Sequence, residues 1–316
     1  MSGNYQLVRL NNGICSVRSL ADAETFHPVV GPVAEAEALY VNQLRLRERV
    51  QNTPGEFVIW DVGLGAAANA LTVLRATRDL ACKIRLVSFD HTLEPLKFAL
   101  GHAADLGYFD GYETQLAKFL QAQRVAFQDG PQSVNWEFQL GDFPTLLARE
   151  WERRLPARPV GVQASACAPD KLKLELQPRP AESEFGAPHA ILFDAYSPAR
   201  NPAMWTLPLF TDLSRLLDPQ RPCALPTYSR STILRVTLLL AGFYVGVGHA
   251  TGEKEETTIA ANTPDLIAES LDARWLGRAR RSHSAEPLTE PVYRTAPLSE
   301  ENWERLQAHP QFQVNR

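Results

Sequence analysis

Long hydrophobic runs are missing from this chain of 316 residues. No apolar stretch approaches the roughly 20 residues that a helix needs to cross a bilayer. The first ten residues contain no basic segment followed by an apolar one, so the sequence predicts no export signal. We therefore expect a protein with a cytoplasmic location and no membrane partner.

The sequence also lacks cysteines and histidines at the spacing of metal ligands, and it has no excess of basic residues. The four cysteines are far apart, without a C-x-x-C pair or a nearby histidine cluster, so we expect reduced thiols and no metal site. A formal net charge of −4 gives no general attraction to nucleic acid, and any polyanion would have to bind local basic clusters. The densest such clusters are Arg274, Arg278, Arg280 and Arg281, and Arg149, Arg153, Arg154 and Arg158.

The hydrophobic pattern alternates between strands and helices. A β-hairpin is predicted over residues 5–20, and strand-like runs then alternate with helical ones. We expect one helix within residues 31–51 and a long helical region over 92–126. This alternation predicts an α/β fold with a doubly wound, mostly parallel sheet.

Composition divides the chain further. Residues 156–189 are rich in proline and alanine and predict a surface insertion with one edge strand. The predicted organisation is an N-terminal hairpin and approach segment over 1–30, a main domain over 31–262, and a C-terminal extension over 263–316.

Residues 57–71, FVIWDVGLGAAANAL, form the most informative segment. An apolar run ends at Asp61, two glycines (Gly63 and Gly65) follow, and small residues then continue as a helix. Together with Ala68 the glycines satisfy G-x-G-x-x-A. A strand, a glycine turn and a helix in this order let backbone N–H groups face a nucleotide-like ligand. The segment predicts a site for a cofactor that contains adenosine.

Four predicted strands end at an aspartate, namely Asp61, Asp90, Asp142 and Asp194. The carboxyl ends of parallel strands share one edge of a sheet, so we expect these side chains on one rim. A carboxylate at Asp61 can accept from the amino group of S-adenosylmethionine, a group that NAD lacks. Asp90 is expected to accept from ribose hydroxyls and Asp142 from the adenine amine, with a helix N-cap as the alternative for Asp142.

Asp194 is predicted to be the catalytic residue. It ends a buried strand and precedes a loop in which Pro198 and Pro202 restrict the backbone. A carboxylate there can orient an acceptor amine beside a methyl donor and accept its proton. The loop residues predicted to contact the substrate are Tyr196, Arg200, Asn201 and Trp205, with burial of Trp205 in the core as the alternative.

From residue 194 to 206 the sequence DAYSPARNPAMWT resembles the MnmC-type tRNA wobble-uridine methyltransferases, which show Asp-Gly/Ala-Phe-Ser/Ala-Pro, Lys/Arg-Asn-Pro and Met/Leu-Trp-Thr. Further similarity lies at Thr227-Tyr228-Ser229, in residues 235–243, and upstream at Phe26, His27, Gly31 and Glu35. The resemblance spans about residues 5–262. Where that family has Gly-Phe-Gly-Thr-Gly-Leu-Asn, residues 63–69 read GLGAAAN and lack the third glycine. Residues 252–257, GEKEET, replace a basic run.

The resemblance implies a Rossmann-like class I methyltransferase fold and S-adenosylmethionine as cofactor. It implies methylation of 5-aminomethyl-(2-thio)uridine at the tRNA wobble position by the stand-alone form, without the FAD-dependent oxidase domain to which some members are fused. The residues expected to hold the cofactor are Asp61, Gly63, Leu64, Gly65, Asn69, Asp90, Asp142 and Glu35. His27 and Tyr228 are expected to line the substrate pocket.

Two other functions stay open at this point. An NAD(P)-dependent oxidoreductase would use the same glycine turn, although no Tyr-x-x-x-Lys arrangement is present. A non-catalytic binder of S-adenosylmethionine is also consistent with the altered turn and the replaced basic run.

Overall fold

The computed structural model of the protein describes residues 4–154, 184–252 and 255–313. The strands are β1 Tyr5–Arg9, β2 Cys15–Ser19, β3 Glu56–Val62, β4 Lys83–Asp90, β5 Arg124–Asp129, β6 Gln132–Leu140, β7 Ala190–Phe193, β8 Ala224–Thr227, β9 Tyr244–Gly248 and β10 Thr257–Ala261. The α-helices are α1 Pro32–Ala36, α2 Leu46–Asn52, α3 Ala68–Thr77, α4 Glu94–Leu100, α5 Ala103–Leu106, α6 Glu113–Ala122, α7 Phe143–Arg154, α8 Leu207–Leu216, α9 Thr232–Leu240, α10 Ala273–Arg281 and α11 Glu300–Gln307.

Eight strands form one sheet in the order β5-β6-β4-β3-β7-β8-β10-β9. The five central strands, from β6 to β8, run parallel, and the remaining strands pair antiparallel at the two edges. β3 lies between β4 and β7. The chain passes from β3 to β4 and β6 on one side, and it later adds β7 and β8 on the other side. A crevice opens at the carboxyl end of a strand where the order reverses in this way. The predicted α/β class with a mostly parallel sheet is confirmed.

The hairpin of β1 and β2 stands apart from this sheet and pairs in the predicted antiparallel register, with Tyr5 opposite Ser19. Gly13 provides the turn with a φ of +85°. The chain then crosses residues 20–31 before α1 begins, and the Phe26 N–H donates to the carbonyl of Val17. This link ties the connecting segment to the hairpin and thereby fixes where it passes over the main sheet.

Both faces of the main sheet are covered, which explains why its central strands are apolar on both sides. One hydrophobic cluster, which includes Phe57 and Ile59, packs against α1 to α6. The other, which includes Val58 and Trp60, packs against α7 to α11. Trp275 and Leu306 of the C-terminal region belong to this second cluster. That region therefore completes the core, while the predicted division at residue 262 stays a prediction.

Two predicted helices are corrected by the structure. Residues 92–126 contain α4, α5 and α6 and the start of β5 instead of one long helix. Gln123 has a φ of +56°, which ends α6 and lets the chain return as a strand. Residues 31–51 are likewise divided, because a π-helical segment (Glu37–Asn42) follows α1 and Arg45 has a φ of +50°. Hydrophobic spacing does not report these left-handed residues.

The predicted insertion over 156–189 falls mainly on residues 155–183, so its edge strand lies outside the described residues. In the described ranges, none of the helices combines the length and the apolar character required to span a bilayer.

Candidate functional site

A cavity of about 700 Å³ opens at the carboxyl ends of β3, β4 and β7. This volume lies within the usual range for sites that bind small molecules and cofactors. The sequence-predicted residues that line it are His27, Glu35, Gly63, Leu64, Gly65, Asn69, Asp90, Asp142, Asp194, Tyr196, Arg200, Asn201 and Tyr228. The structure therefore brings together residues from the segment before α1, from four strand ends and from the loop after β7.

The glycine turn after β3 passes very close to the strand end at Asp194. A Cβ atom at Gly63, where φ is +94°, would lie 2.6 Å from the backbone oxygen of Asp194. Only glycine fits this backbone angle and this approach. The Gly65 N–H, with a φ of +50° at the same residue, donates to Asp90 Oδ2 at 3.0 Å. The turn thus holds the carboxyl ends of β3, β4 and β7 close together at the base of the cavity.

Ala67 stands where the resembled motif has its third glycine, and it has a φ of +61°. It is fully buried directly before α3. A left-handed conformation costs an alanine roughly 1–2 kcal/mol, a cost that glycine avoids. The turn therefore keeps the glycine-like backbone path although the side chain has changed.

Asp90 and Asp142 face the cavity from the side of β4 and β6. Asp90 follows the sequence prediction as the last residue of its strand, and its Oδ1 lies 3.0 Å from His91 Nδ1. Asp142 follows β6 by two residues, and its Oδ2 accepts from the N–H of Thr145 at 3.2 Å. Asp142 thus acts as a cap of α7, the alternative predicted for it, while it also lines the cavity, and its contact with adenine stays a prediction.

Asp194 lies in a cluster with His27 and Glu35 on the other side of the cavity. Its Oδ2 accepts from Asn69 Nδ2 at 2.8 Å and lies 3.5 Å from His27 Nε2. The other ring nitrogen of His27, Nδ1, is 3.1 Å from Glu35 Oε1. His27 has a φ of +48°, a strained angle that fixes the ring between the two carboxylates. Glu35 lines the cavity and contacts His27, and its predicted contact with the cofactor stays a prediction.

The charge of His27 follows from this arrangement. Burial by itself lowers the pKa of the imidazole, but Asp194 and then Glu35 outweigh it and raise the pKa to about 9. At neutral pH an imidazolium therefore lies between two carboxylates. The ligand-type atoms of this trio lie within 4.8 Å of one another, a spacing that could also hold a metal ion. The absence of a metal stays a prediction.

Replacement of His27 by glutamine is expected to change how stability depends on pH. The pKa of His27 is raised from 6.5 to about 9, so its contribution is fully present below pH 6.5 and is lost as the pH rises through 9. The difference in unfolding free energy between wild type and His27→Gln should shrink by about 3 kcal/mol from pH 6 to pH 10. Urea unfolding followed by tryptophan fluorescence measures it.

The comparison reports the titration of His27 together with its coupled partners Asp194 and Glu35, because groups away from this cluster titrate alike in both proteins. Asp61, for example, has its pKa raised to about 7, chiefly by burial, and its titration cancels in the difference. A difference that stays constant across this pH range would contradict a protonated His27 between Asp194 and Glu35.

Two predicted site residues do not line the cavity. Asp61 is fully buried within β3, where its Oδ2 accepts from the Ser88 hydroxyl at 2.7 Å. Its Oδ1 has no hydrogen-bond partner among the described residues. Trp205 is 3% exposed, and its indole N–H donates to the carbonyl of Tyr196 at 2.7 Å. Trp205 is therefore a core residue, which was the alternative predicted for it. Its hydrogen bond holds the loop that follows β7.

The sequence did not identify Glu24 as a site residue, and Phe26 was named only as a residue similar to the MnmC-type family. Glu24 lines the cavity and accepts hydrogen bonds from the hydroxyl and N–H of Ser197, in the loop that follows Asp194. The Phe26 ring lies 3.3 Å from the position of a Cβ at Gly65 and 5.8 Å, between centroids, from the Tyr196 ring. The only signal in the sequence was their place in the segment that leads to His27.

These features can be tested against S-adenosylmethionine as a ligand. The glycine turn leaves room for close approach of a ligand to the backbone, since side chains are excluded at Gly63 and strained at Gly65. The Oδ1 of Asn69 is buried at the cavity without a partner in the described part of the chain. Asp90 and Asp142 provide acceptors for hydroxyl and amine donors. The residues present therefore fit this cofactor.

Comparison with known proteins gives one family match. The model of a family described as S-adenosyl-L-methionine-dependent methyltransferases matches residues 147–263. These residues include β7, β8 and the loop after β7, which begins at Asp194. A crystal structure of MnmC2 from Aquifex aeolicus superposes with a TM-score of 0.64 at 20% identity and covers 96% of this chain and 84% of that one. At this identity the likeness establishes a shared fold.

Among curated relatives, the tRNA 5-methylaminomethyl-2-thiouridine biosynthesis bifunctional protein MnmC of Methylibium petroleiphilum is 27% identical over 275 residues. The match covers 83% of this chain and 35% of that protein. The protein of the same name from Pseudomonas putida is 28% identical over 255 residues, with 78% and 33% covered. The chain thus spans about a third of the length of these relatives.

Proposed function

We propose that this chain, an S-adenosylmethionine-dependent methyltransferase related to the MnmC proteins, N-methylates 5-aminomethyl-(2-thio)uridine at the tRNA wobble position. The predicted enzyme class and cofactor are confirmed, whereas the alternatives of an NAD(P)-dependent oxidoreductase and a non-catalytic binder gain no support. The observation that carries the proposal is the position of the Asp194 carboxylate, held by Asn69 and His27 in a cavity that the glycine turn also lines.

The proposed cofactor contacts use the side of the cavity formed by β3, β4 and β6. Gly63, Leu64 and Gly65 would lie along the ligand, Asp90 would accept from its ribose, and Asp142 from its adenine. Asn69 would contribute its buried oxygen. When bound, S-adenosylmethionine supplies a methyl group attached to a positively charged sulfur.

Asp194 is the proposed catalytic residue. The acceptor amine must be neutral to form the new C–N bond, and its nitrogen then carries one proton too many. A carboxylate within hydrogen-bond reach of that nitrogen aligns its lone pair and accepts a proton. Asn69 donates to Oδ2 of Asp194, and a carboxylate can accept from several donors at once.

His27 and Glu35 are proposed to position Asp194 rather than to contact the reacting atoms. Two carboxylates around one imidazolium leave an excess of negative charge, which stabilises the positive charge that develops on the acceptor nitrogen as the C–N bond forms. Glu24 holds the loop after Asp194 through Ser197, and Tyr228 donates to the carbonyl of Ala195 at 3.0 Å. These contacts restrict the loop that carries Tyr196, Arg200 and Asn201.

Support for a tRNA substrate comes from the sequence resemblance over residues 194–206 and from the relatives, whose name refers to biosynthesis of 5-methylaminomethyl-2-thiouridine in tRNA. That nucleoside is a methylated amine, which fits the acidic cluster around Asp194. A base that reacts in a cavity of this kind has to leave its stack, and an anticodon loop presents unpaired bases.

The test is a methylation assay with purified protein, S-adenosylmethionine and tRNA that carries 5-aminomethyluridine at the wobble position. We expect mass spectrometry of the digested tRNA to show a gain of one methyl group on that nucleoside alone. Matched tRNA with unmodified uridine serves as the control. Tight binding of S-adenosylmethionine without methylation of either tRNA would reject the tRNA substrate while it leaves the cofactor site intact.

A further inference from the structure

One face of α10 carries a row of three exposed arginines, Arg274, Arg278 and Arg281. Their spacing of four and three residues places them side by side along about 10 Å of helix. They line a shallow groove together with Asp272, Ala273 and Gly277, and the Asp272 carboxylate caps the helix by accepting from the Trp275 N–H. No hydrogen bond or ion pair joins any of the three arginines to another residue in the parts of the chain that the structure describes.

Three other arginines of the two basic clusters form ion pairs. Arg153 and Arg154 of α7 both pair with the buried carboxylate of Glu150, at 2.8 and 3.1 Å. Arg280 of α10 pairs with Glu300 and lies over the ring of Trp303. Arg274, Arg278 and Arg281 thus form a row of three exposed arginines on one helix for which no ion pair is found among the described residues.

Further exposed arginines lie at the cavity and close to it in the sequence. Arg235, on α9, is close enough to both Arg278 and Arg230 for each of them to lower its pKa, although burial is the larger cause. Arg230 is exposed and follows Tyr228, which lines the cavity, by two residues. Arg200 adds an exposed cation at the cavity itself. Exposed cations thus occur both at the cavity and on α10.

We propose that Arg274, Arg278 and Arg281 bind the phosphodiester backbone of the RNA whose wobble base enters the cavity, with Arg230 between them and the cavity mouth. Guanidinium groups make paired hydrogen bonds to phosphate oxygens, and a chain with net negative charge needs such a local surface. The proposal rests on the proposed tRNA substrate and specifies which surface holds it.

The test compares tRNA binding by wild type and by the triple variant Arg274→Gln/Arg278→Gln/Arg281→Gln, using fluorescence anisotropy over a range of salt concentrations. We expect the Kd of the triple variant to rise at least about 10-fold at low salt. The slope of log affinity against log salt should become shallower by about 2, because fewer phosphates are neutralised. Calorimetry with S-adenosylmethionine checks that the variant remains folded.

A matched pair on the same helix controls for net charge. Arg278→Gln and Arg280→Gln each remove one cation from α10, but only Arg278 belongs to the open row, so only Arg278→Gln should weaken tRNA binding. Equal affinity of wild type and triple variant for tRNA, with wild type active on tRNA, would overturn the surface and keep the proposed function. If the wild type bound phosphatidylserine vesicles and the triple variant lost that binding but kept its affinity for tRNA, the proposal would also be overturned. Failure of the wild type to methylate the modified tRNA would instead reject the proposed function.

Discussion

Substitution of Asp194 by asparagine is expected to lower kcat for methyl transfer by about 10²–10⁴-fold and to leave the affinity for S-adenosylmethionine within a few-fold. An asparagine oxygen can still accept from Asn69 Nδ2, so the side chain should keep its place. What is lost is the negative charge and the ability to accept a proton from the acceptor amine. Single-turnover rates with modified tRNA and calorimetric titration with the cofactor measure the two effects separately.

Asp142→Asn provides the matched control for this experiment, because Asp142 lines the same cavity on the side proposed for the cofactor. Asparagine is as good an N-cap as aspartate, so α7 should be preserved. This variant should raise KM for S-adenosylmethionine more than it lowers kcat. If Asp194→Asn weakened cofactor binding as strongly as it slowed turnover, the role assigned to Asp194 would be wrong.

Substitution of Gly63 by alanine is expected to have the largest effect on the fold of the site. The added Cβ would meet the backbone oxygen of Asp194 at 2.6 Å, and the residue would also keep a strained φ of +94°. Strain and overpacking together should lower the unfolding free energy by about 2–5 kcal/mol. Because the atom in the way belongs to Asp194, activity should fall even in molecules that remain folded. Urea unfolding and kcat at a temperature where the variant is folded provide the two measurements.

Gly55→Ala is the control for Gly63→Ala, because it introduces the backbone strain without the steric clash. Gly55 directly precedes β3 and has a φ of +85°, but a Cβ there has nothing within 4 Å. Its substitution should cost only the left-handed strain, about 1–2 kcal/mol, with no loss of specific activity. If the two variants were equally stable and equally active, the close approach of Gly63 to Asp194 would not matter.

The cluster around Asp194 also changes how the site is understood. His27 was predicted to line the substrate pocket and Glu35 to contact the cofactor. In the structure each lines the cavity, but the short contacts of both are with each other and, through His27, with Asp194. Their expected effects are therefore on the charge and orientation of Asp194, and the pH dependence of the His27 variant is the direct measure of this coupling.

The sequence by itself determined the fold class and the edge of the sheet at which the site lies. Alternation of strands and helices requires a parallel sheet, and parallel strands bring their carboxyl ends to one edge. The glycines after Asp61 and the aspartates at the other strand ends are local features, so a linear pattern contains them. The pairing of Arg153 and Arg154 with Glu150 is local too, because these residues lie three and four positions apart on one helix.

Only the tertiary structure decided which acidic strand end faces the cavity and which is buried. Side chains alternate across a strand, and Asp61 lies one residue before the end of β3, so it points to Ser88 inside the sheet. Likewise, Glu24, His27 and Asp194 meet because the hairpin fixes the path of residues 20–31 over the end of β7. Such contacts join residues more than 150 positions apart, and their geometry depends on packing that no local pattern encodes.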